Sequence, residues 1–333
     1  MSHLPKLLFL LCPVALTTPV YAQFAPLPEE LELPRLSPSQ IGPKEPIVSS
    51  LPLEGESNTV RRLRATRPAL KTRPLSIPRP SDSFGQTPLD VYPWMFDVAR
   101  MRPDRVRLIN LGQSSSGRTM WALEVRPMGK VPISRLKRLA VICRQHGNEP
   151  EATVSGTRFL TQFLEASTPT ARTVSQKVVL LVVPIANPDG AARYQRRTAQ
   201  NIDMNRDWGH NRSPEVRALT QMVQWWKPNL VIDNHQWLPF EKMPPPMAEA
   251  SGGKLARGVA QSMSQSNAAR GFYLAARSRW GLDSLCHRYW GQRFGVPAIL
   301  LETRHRPAIN GARDQAIAQA LSALWAATKT LAQ

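Results

Sequence analysis

From Tyr92 onward the chain is a succession of short apolar runs, polar turns and longer stretches with helical spacing. The stretch PWMFDVAR beside Tyr92 predicts a short helix. The runs at 106–111 and 120–125 predict two strands, and the turn-rich residues between them, Gly112 to Arg118, make them antiparallel neighbours. From Arg138 the pattern changes to strand and helix in alternation. A strand at 139–144, in which Leu139, Val141 and Cys143 alternate with Ala140 and Ile142, leads into a helix over about 150–166. Pro150 opens that helix because a first helical position leaves its N–H unpaired and proline has none. The apolar run VVLLVVPI within 177–185 predicts a strand covered on both faces. Ser213-Pro214-Glu215 supplies an N-cap and a first-turn proline for a helix to Trp226. A strand at 230–233, a helix over about 253–270, a strand at 298–301 and a last helix over about 313–331 complete the series. The expected fold is α/β, a mixed, largely parallel central sheet flanked by helices on both faces, with the antiparallel pair at one side.

In such a sheet, ligands bind beyond the carboxyl ends of the strands. Those ends carry, in turn, His146 and Glu149, Asn187-Pro188-Asp189-Gly190, Asn234-His235, and Glu302. A histidine and a glutamate three residues apart across a strand-to-helix turn are a weak signal, since a polar loop with Glu149 as helix cap has the same spacing. Three residues of zinc-ligating type on one rim, with a spare carboxylate, turn the balance toward a metal site. A catalytic zinc takes three protein ligands and leaves one position open for water. His146, Glu149 and His235 supply the three, and Glu302 remains to take a proton and deliver it to a leaving group. The loop containing Arg196, Arg197 and Arg206 adds fixed positive charge, which suits an oxyanion and a substrate carboxylate. The residues alone do not separate Arg196 from Arg197.

Composition changes the picture mainly at the N-terminus. Residues 1–22 have the form of a secretory signal peptide: Lys6, an apolar run from Leu7 to Leu16, and small residues Val20 and Ala22 before a cut at Gln23. The run is too short for a permanent membrane span, and no later stretch reaches that length. The expected location is therefore periplasmic or secreted. Residues 23–90 hold 12 of the 31 prolines, with few aromatics, and read as an extended or disordered leader. Residues 91–333 are then a single catalytic domain. A net charge of +19 favours polyanions in general. For an exported protein without a nucleic-acid-binding motif, anionic envelope polymers and acidic peptides are better partners than nucleic acid. Cys143 and Cys286, outside the signal, stand at even odds between a disulfide and two buried thiols.

Taken together, Gly112-Gln113-Ser114 with Gly117-Arg118, His146 to Glu149 as H-x-x-E, NPDG at 187–190, QRRT at 195–198, DMNR at 203–206, His235 and ILLET at 299–303 resemble the zinc carboxypeptidase family in content and order. The likeness spans about residue 105 to the C-terminus. It implies one zinc per chain on His146, Glu149 and His235, with Glu302 as general base and then acid. It further implies that Asp203 holds His146 in its ligating tautomer, that Arg196 polarises the scissile carbonyl and stabilises the oxyanion, and that Asn205 and Arg206 grip the substrate's terminal carboxylate. The family's tyrosine near that carboxylate has no clear counterpart: Trp280 lies in the corresponding stretch, with Tyr273 and Tyr289 to either side. His210, His287 and His305 read as structural or surface residues, and Trp225-Trp226 as core. Thr303-Arg304-His305-Arg306 after Glu302 is unusually basic and suggests acidic C-terminal residues as substrate.

The expected activity is an exported zinc metallocarboxypeptidase acting on peptides, including those of the cell wall. The rivals are a cell-wall peptide amidase and an N-acyl amino acid deacylase, since succinylglutamate desuccinylase and aspartoacylase relatives share H-G-N-E and D-x-N-R. A noncatalytic envelope-binding module is disfavoured, because it has no need of Glu302.

Overall fold

The computed structural model describes residues 87–127, 131–238, 245–281, 284–304 and 312–333. The predicted signal peptide, the leader up to residue 86, and His305 and Arg306 lie outside the described residues. The first helix, α1 (Pro88–Met101), starts within the last residues of the expected leader. There follow β1 (Val106–Gln113), β2 (Thr119–Val125), β3 (Lys137–Cys143), α2 (Pro150–Glu165), α3 (Pro169–Ser175), β4 (Val178–Val183), α4 (Pro188–Ala192) and α5 (Pro214–Trp226). The chain continues through β5 (Leu230–Trp237), β6 (Met247–Ser251), α6 (Lys254–Ala268), β7 (Ala275–Ser278), the short α7 (Cys286–Arg288), β8 (Ala298–Arg304) and α8 (Ala312–Leu331).

The strands form one eight-stranded sheet in the order β1-β2-β4-β3-β5-β8-β6-β7. The centre, from β4 through β3 and β5 to β8, is parallel, and the antiparallel β1–β2 pair sits at one edge as expected. The alternation along each central strand explains why these runs are apolar throughout. Leu139, Val141 and Cys143 of β3, with Leu180 and Val182 of β4, face one core, which includes Phe159, Phe163, Met263 and Leu324 from helices. Ala140 and Ile142, with Val179, Leu181 and Val183, face a second core with Leu219, Met222, Trp208 and Trp290. Each face of a twice-covered strand must be apolar, so no polar alternation survives in the sequence. In the first core Trp325 of α8 packs edge-on against Phe159, ring centroids 5.4 Å apart.

The chain leaves β3 for β4 on one side and later returns to β5 on the other. The connections diverge at β3, so the rim there opens into a crevice of the kind that holds ligands in open α/β sheets. Two expected strands prove longer than their apolar stretches. β5 runs to Trp237 and β8 to Arg304, because the backbones keep pairing through Asn234↔Leu301, His235↔Glu302 and Gln236↔Thr303. His235 and Glu302 are thus within strands, held by the ladder, rather than just after them. The sequence pattern missed β6 and β7, whose MAEAS and AARS contain no β-branched residue. Cys143 and Cys286 are buried free thiols. Burial pushes the Cys143 thiol up to about 12, so it is not a nucleophile.

Candidate metal centre

The turn after β3 begins at Arg144, a non-glycine residue in the left-handed region at φ 57°. Its Nε donates to the Gly147 carbonyl at 3.0 Å, which closes the turn on itself. The segment after β4 docks on this turn: Ala186 and Asn187 donate backbone N–H groups to Cys143 and Arg144, and Asn187 Nδ2 donates to the Gln145 carbonyl. The two turns touch at Gly147, where a Cβ would come within 2.0 Å of the Gly190 carbonyl carbon. That close approach is why a glycine follows His146. The NPDG segment is pinned from its other side. Buried Asp189 accepts from Ser114 Oγ, the Ser116 N–H and Arg118 Nη1, so the Gly112–Arg118 connection serves the rim as a brace.

Glu149 occupies the N-cap position of α2 but makes no capping hydrogen bond. Its carboxylate turns instead to the histidines. Glu149 Oε1 lies 2.6 Å from His146 Nδ1, and Oε2 lies 2.8 Å from His235 Nδ1. The donor atoms of His146, Glu149 and His235 all fall within 4.8 Å of one another, and the three residues are buried. The outer nitrogen of each histidine meets another carboxylate. His146 Nε2 is 3.1 Å from Asp203 Oδ1, and His235 Nε2 is 2.8 Å from Asp233 Oδ1. Burial alone would push Glu149 and Asp203 up. The two histidines beside Glu149, and His146 with Arg196 and Arg206 around Asp203, outweigh it and hold both acids well below the usual range. On His235 burial works against charge, but Asp233 and Glu149 raise its pKa well above 6.5.

Glu302 stands beside His235 in the parallel register and is 7% exposed, with Oε2 buried and unpartnered. Burial, seconded by Glu149 and Asp233 against His235 and Arg196, raises its pKa well above the ordinary 4.5. The residues fit a divalent cation. Glu149, Asp203, Asp233 and Glu302 are all buried beside His146 or His235, and a concentration of buried carboxylates is tolerable when a cation sits among them. Two imidazoles and a carboxylate form a donor set suited to zinc.

The remaining expected residues divide. Arg196 reaches over the centre, its Nε 3.1 Å from Asp203 Oδ2 and Nη1 3.9 Å from Glu149, with the guanidinium partly exposed. Arg197 turns away to the Asn201 carbonyl, which separates the two arginines as the sequence alone did not. Asn205 belongs to the centre but faces inward. Its Oδ1 accepts the Cys286 N–H at 2.8 Å, and its Nδ2 lies 3.3 Å from His235 Nε2. Arg206 is exposed and free to meet a ligand, with Nη1 on the Asn205 carbonyl. Trp280 is 88% exposed and Tyr273 is exposed, whereas Tyr289 packs on Trp208, Trp290 and Phe294 as core. His210 is exposed, and His287 is buried against Glu249. Asp233 was the residue sequence reasoning missed. Its signal was available, because it stands two positions before His235 on one strand and so shares its face.

Residues 91–237 match the family model described as zinc carboxypeptidase. Among curated proteins, a probable carboxypeptidase 2 of Trichophyton verrucosum is 32% identical over 106 residues, which is 32% of this chain and 20% of that protein. Human carboxypeptidase D is 27% identical over 135 residues, 36% of this chain and 10% of that one. The chain thus spans a fifth or less of the length of these two relatives. Of solved structures, a metallo-carboxypeptidase from Burkholderia cenocepacia superposes with a TM-score of 0.59 at 22% identity, covering 71% of this chain and 68% of that one. Thrombin activatable fibrinolysis inhibitor gives 0.62 at 15% identity, with 77% of each chain covered. The resemblance read in the sequence is thus matched in sequence over residues 91–237, and in fold. The family match includes all the expected site residues except Glu302, which the β5–β8 register adds.

Proposed function

We propose that this chain, which is similar to the zinc carboxypeptidases in residues 91–237 and in fold, is a zinc-dependent metallocarboxypeptidase that hydrolyses a peptide bond next to a free carboxylate. The observation that carries the reading is the convergence of His146 Nδ1 and His235 Nδ1 on the two oxygens of Glu149, with Glu302 in register beside His235. Bound to these three residues, zinc would supply a Lewis acid that acidifies a water molecule and polarises a carbonyl.

The protein's own groups do the rest. Glu302 Oε2, unpartnered and buried, takes the proton from water and hands it to the leaving amine. A raised pKa suits that second task, and a divalent ion held beside Glu302 would favour the ionised form needed for the first. Arg196, fixed by Asp203, offers its guanidinium to the oxyanion. Exposed Arg206 meets the substrate's terminal carboxylate, while Asn205 supports the site from beneath. The arginines around the site favour acidic C-terminal residues. The N-terminal signal pattern supports action outside the cytoplasm, on peptides that include those of the cell wall.

The test measures metal content and then two substrate sets. Zinc near one per chain, with release of free amino acids from unblocked peptides and faster release of Glu than of Lys, is the expected result. Acyl release from N-acyl amino acids without peptide cleavage would make the protein a deacylase. Absence of zinc, with no effect of added metal, would leave a binding module.

A further inference from the structure

We propose that Asp233 is a positioning residue that keeps the proton of His235 on Nε2, so that Nδ1 can ligate the metal, and that Gln145 and Trp208 hold Asp233 for this task. The inference rests on the reading of His146, Glu149 and His235 as the metal ligands.

Around His235 Nε2 the polar neighbours are unequal in kind. Asp233 Oδ1 is at 2.8 Å, Asn205 Nδ2 at 3.3 Å and Gln145 Nε2 at 3.5 Å. Both amides have their orientation fixed from elsewhere. Asn205 Oδ1 accepts the Cys286 N–H, and Gln145 Oε1 accepts Trp208 Nε1–H at 2.7 Å. Each therefore presents its NH2 group, a donor, toward the imidazole. Two donors facing Nε2 stabilise a lone pair there. The proton would then sit on Nδ1, donated to Glu149, and that tautomer cannot ligate through Nδ1. Asp233 reverses the preference, being the acceptor nearest Nε2 among the described residues.

The placement of Asp233 is otherwise unprofitable. It is fully buried, and its Oδ2 has no hydrogen-bond partner. A buried carboxylate with an orphan oxygen is destabilising by itself. Gln145 donates to the same Oδ1 that meets His235, so the fully buried Gln145 and nearly buried Trp208 form a chain that ends on the histidine. His146 is served by Asp203 in the same way from the opposite side. Carboxylates behind metal-bound histidines fix ring orientation and tautomer, and losing one weakens the metal about 10–100-fold.

The test uses the full chain and zinc alone, in competition with a chromogenic chelator. Asp233→Ala is expected to bind zinc about 100-fold more weakly than wild type, and Asp233→Asn, whose Oδ1 still accepts from both neighbours, about 10-fold more weakly. Nitrogen-15 spectra of the zinc-free protein should show Nε2 of His235 protonated in wild type and bare in Asp233→Ala. Adding Gln145→Glu to Asp233→Ala places a carboxylate where the amide donor was and should recover most of the affinity, which a merely structural role of Asp233 would not allow. If the alanine variant does not fold, Asp233→Asn carries the test. Wild-type zinc affinity in the folded variants, or a protonated Nε2 in Asp233→Ala, would overturn the proposal. A wild-type protein that takes up no zinc would overturn the metal centre and this inference with it.

Discussion

His235 and Glu302 are direct partners across the parallel β5–β8 ladder. The imidazole proposed as a metal ligand and the carboxylate proposed to transfer the proton are thus fixed relative to each other by backbone hydrogen bonds rather than by loops. Neighbouring strands lie ~4.8 Å apart, so the ladder sets the lateral spacing of the two side chains within narrow limits.

Glu302→Gln preserves shape and ladder but removes the carboxylate proposed to move the proton. Its zinc content should equal that of wild type, while kcat falls at least ~100-fold, the scale of losing an acid–base group. Metal analysis alongside peptide hydrolysis reads both quantities. Retained activity would show that another group is the base.

Metal removal should abolish activity and lower the melting temperature together. The empty site leaves Glu149, Asp203, Asp233 and Glu302 buried around a missing cation. Free zinc at a hundred times its dissociation constant stabilises the folded state by about 2.7 kcal/mol. Calorimetry with a chelator, and then with zinc restored, should show that gain disappear and return. Unchanged melting would mean that the buried carboxylates are satisfied without an ion.

Gly147→Ala should damage the centre without touching a ligand. The added methyl would meet the Gly190 backbone at 2.0 Å, so one of the two turns must move. Overpacking of this kind costs about 1–3 kcal/mol, and more where the obstacle is backbone. Denaturant unfolding should show that loss, and zinc stoichiometry should fall with it. A variant of wild-type stability and metal content would show that the turns separate freely.

The pairing of Glu249 with His287 and Arg288 predicts a contribution to acid stability. Burial opposes the charged form of Glu249, but hydrogen bonds from His287 Nε2 at 3.0 Å and Arg288 Nη2 at 2.6 Å outweigh it and lower its pKa to about 2. A carboxyl with a depressed folded-state pKa stabilises above its unfolded value and loses that contribution as pH falls through the folded one. The window here runs from about pH 4.5 down to about pH 2. Glu249→Gln should be less stable than wild type at pH 7 by on the order of 3 kcal/mol, with the gap closing across that window. Urea unfolding of the metal-free proteins from pH 7 to 2 measures it, and a gap independent of pH would refute the assignment.

Much of the centre was legible in the sequence because strand ends are. Apolar runs mark the central strands, and in a parallel sheet the polar residues at their carboxyl ends lie along one rim, where the structure brings His146, Glu149 and His235 together with Glu302 in register beside His235. What escaped depended on side-chain direction rather than position. Asn205 was expected to point at substrate and instead spends its amide on Cys286 and His235. Asp233 passed as the polar end of a strand, because its two-residue spacing from His235 gains meaning only once β5 is seen to continue to Trp237. The strands β6 and β7 escaped because their alanine-rich segments have no periodic signature.

The contact between Gly147 and Gly190 also bears on when the ion can arrive. The turn that offers His146 and Glu149 reaches its final path only against a segment some forty residues later, and His235 follows later still. A partly synthesised or partly folded chain therefore has ligands but no cage. An ion held by His146, Glu149 and His235 would therefore find its full ligand set only once these distant segments have come together.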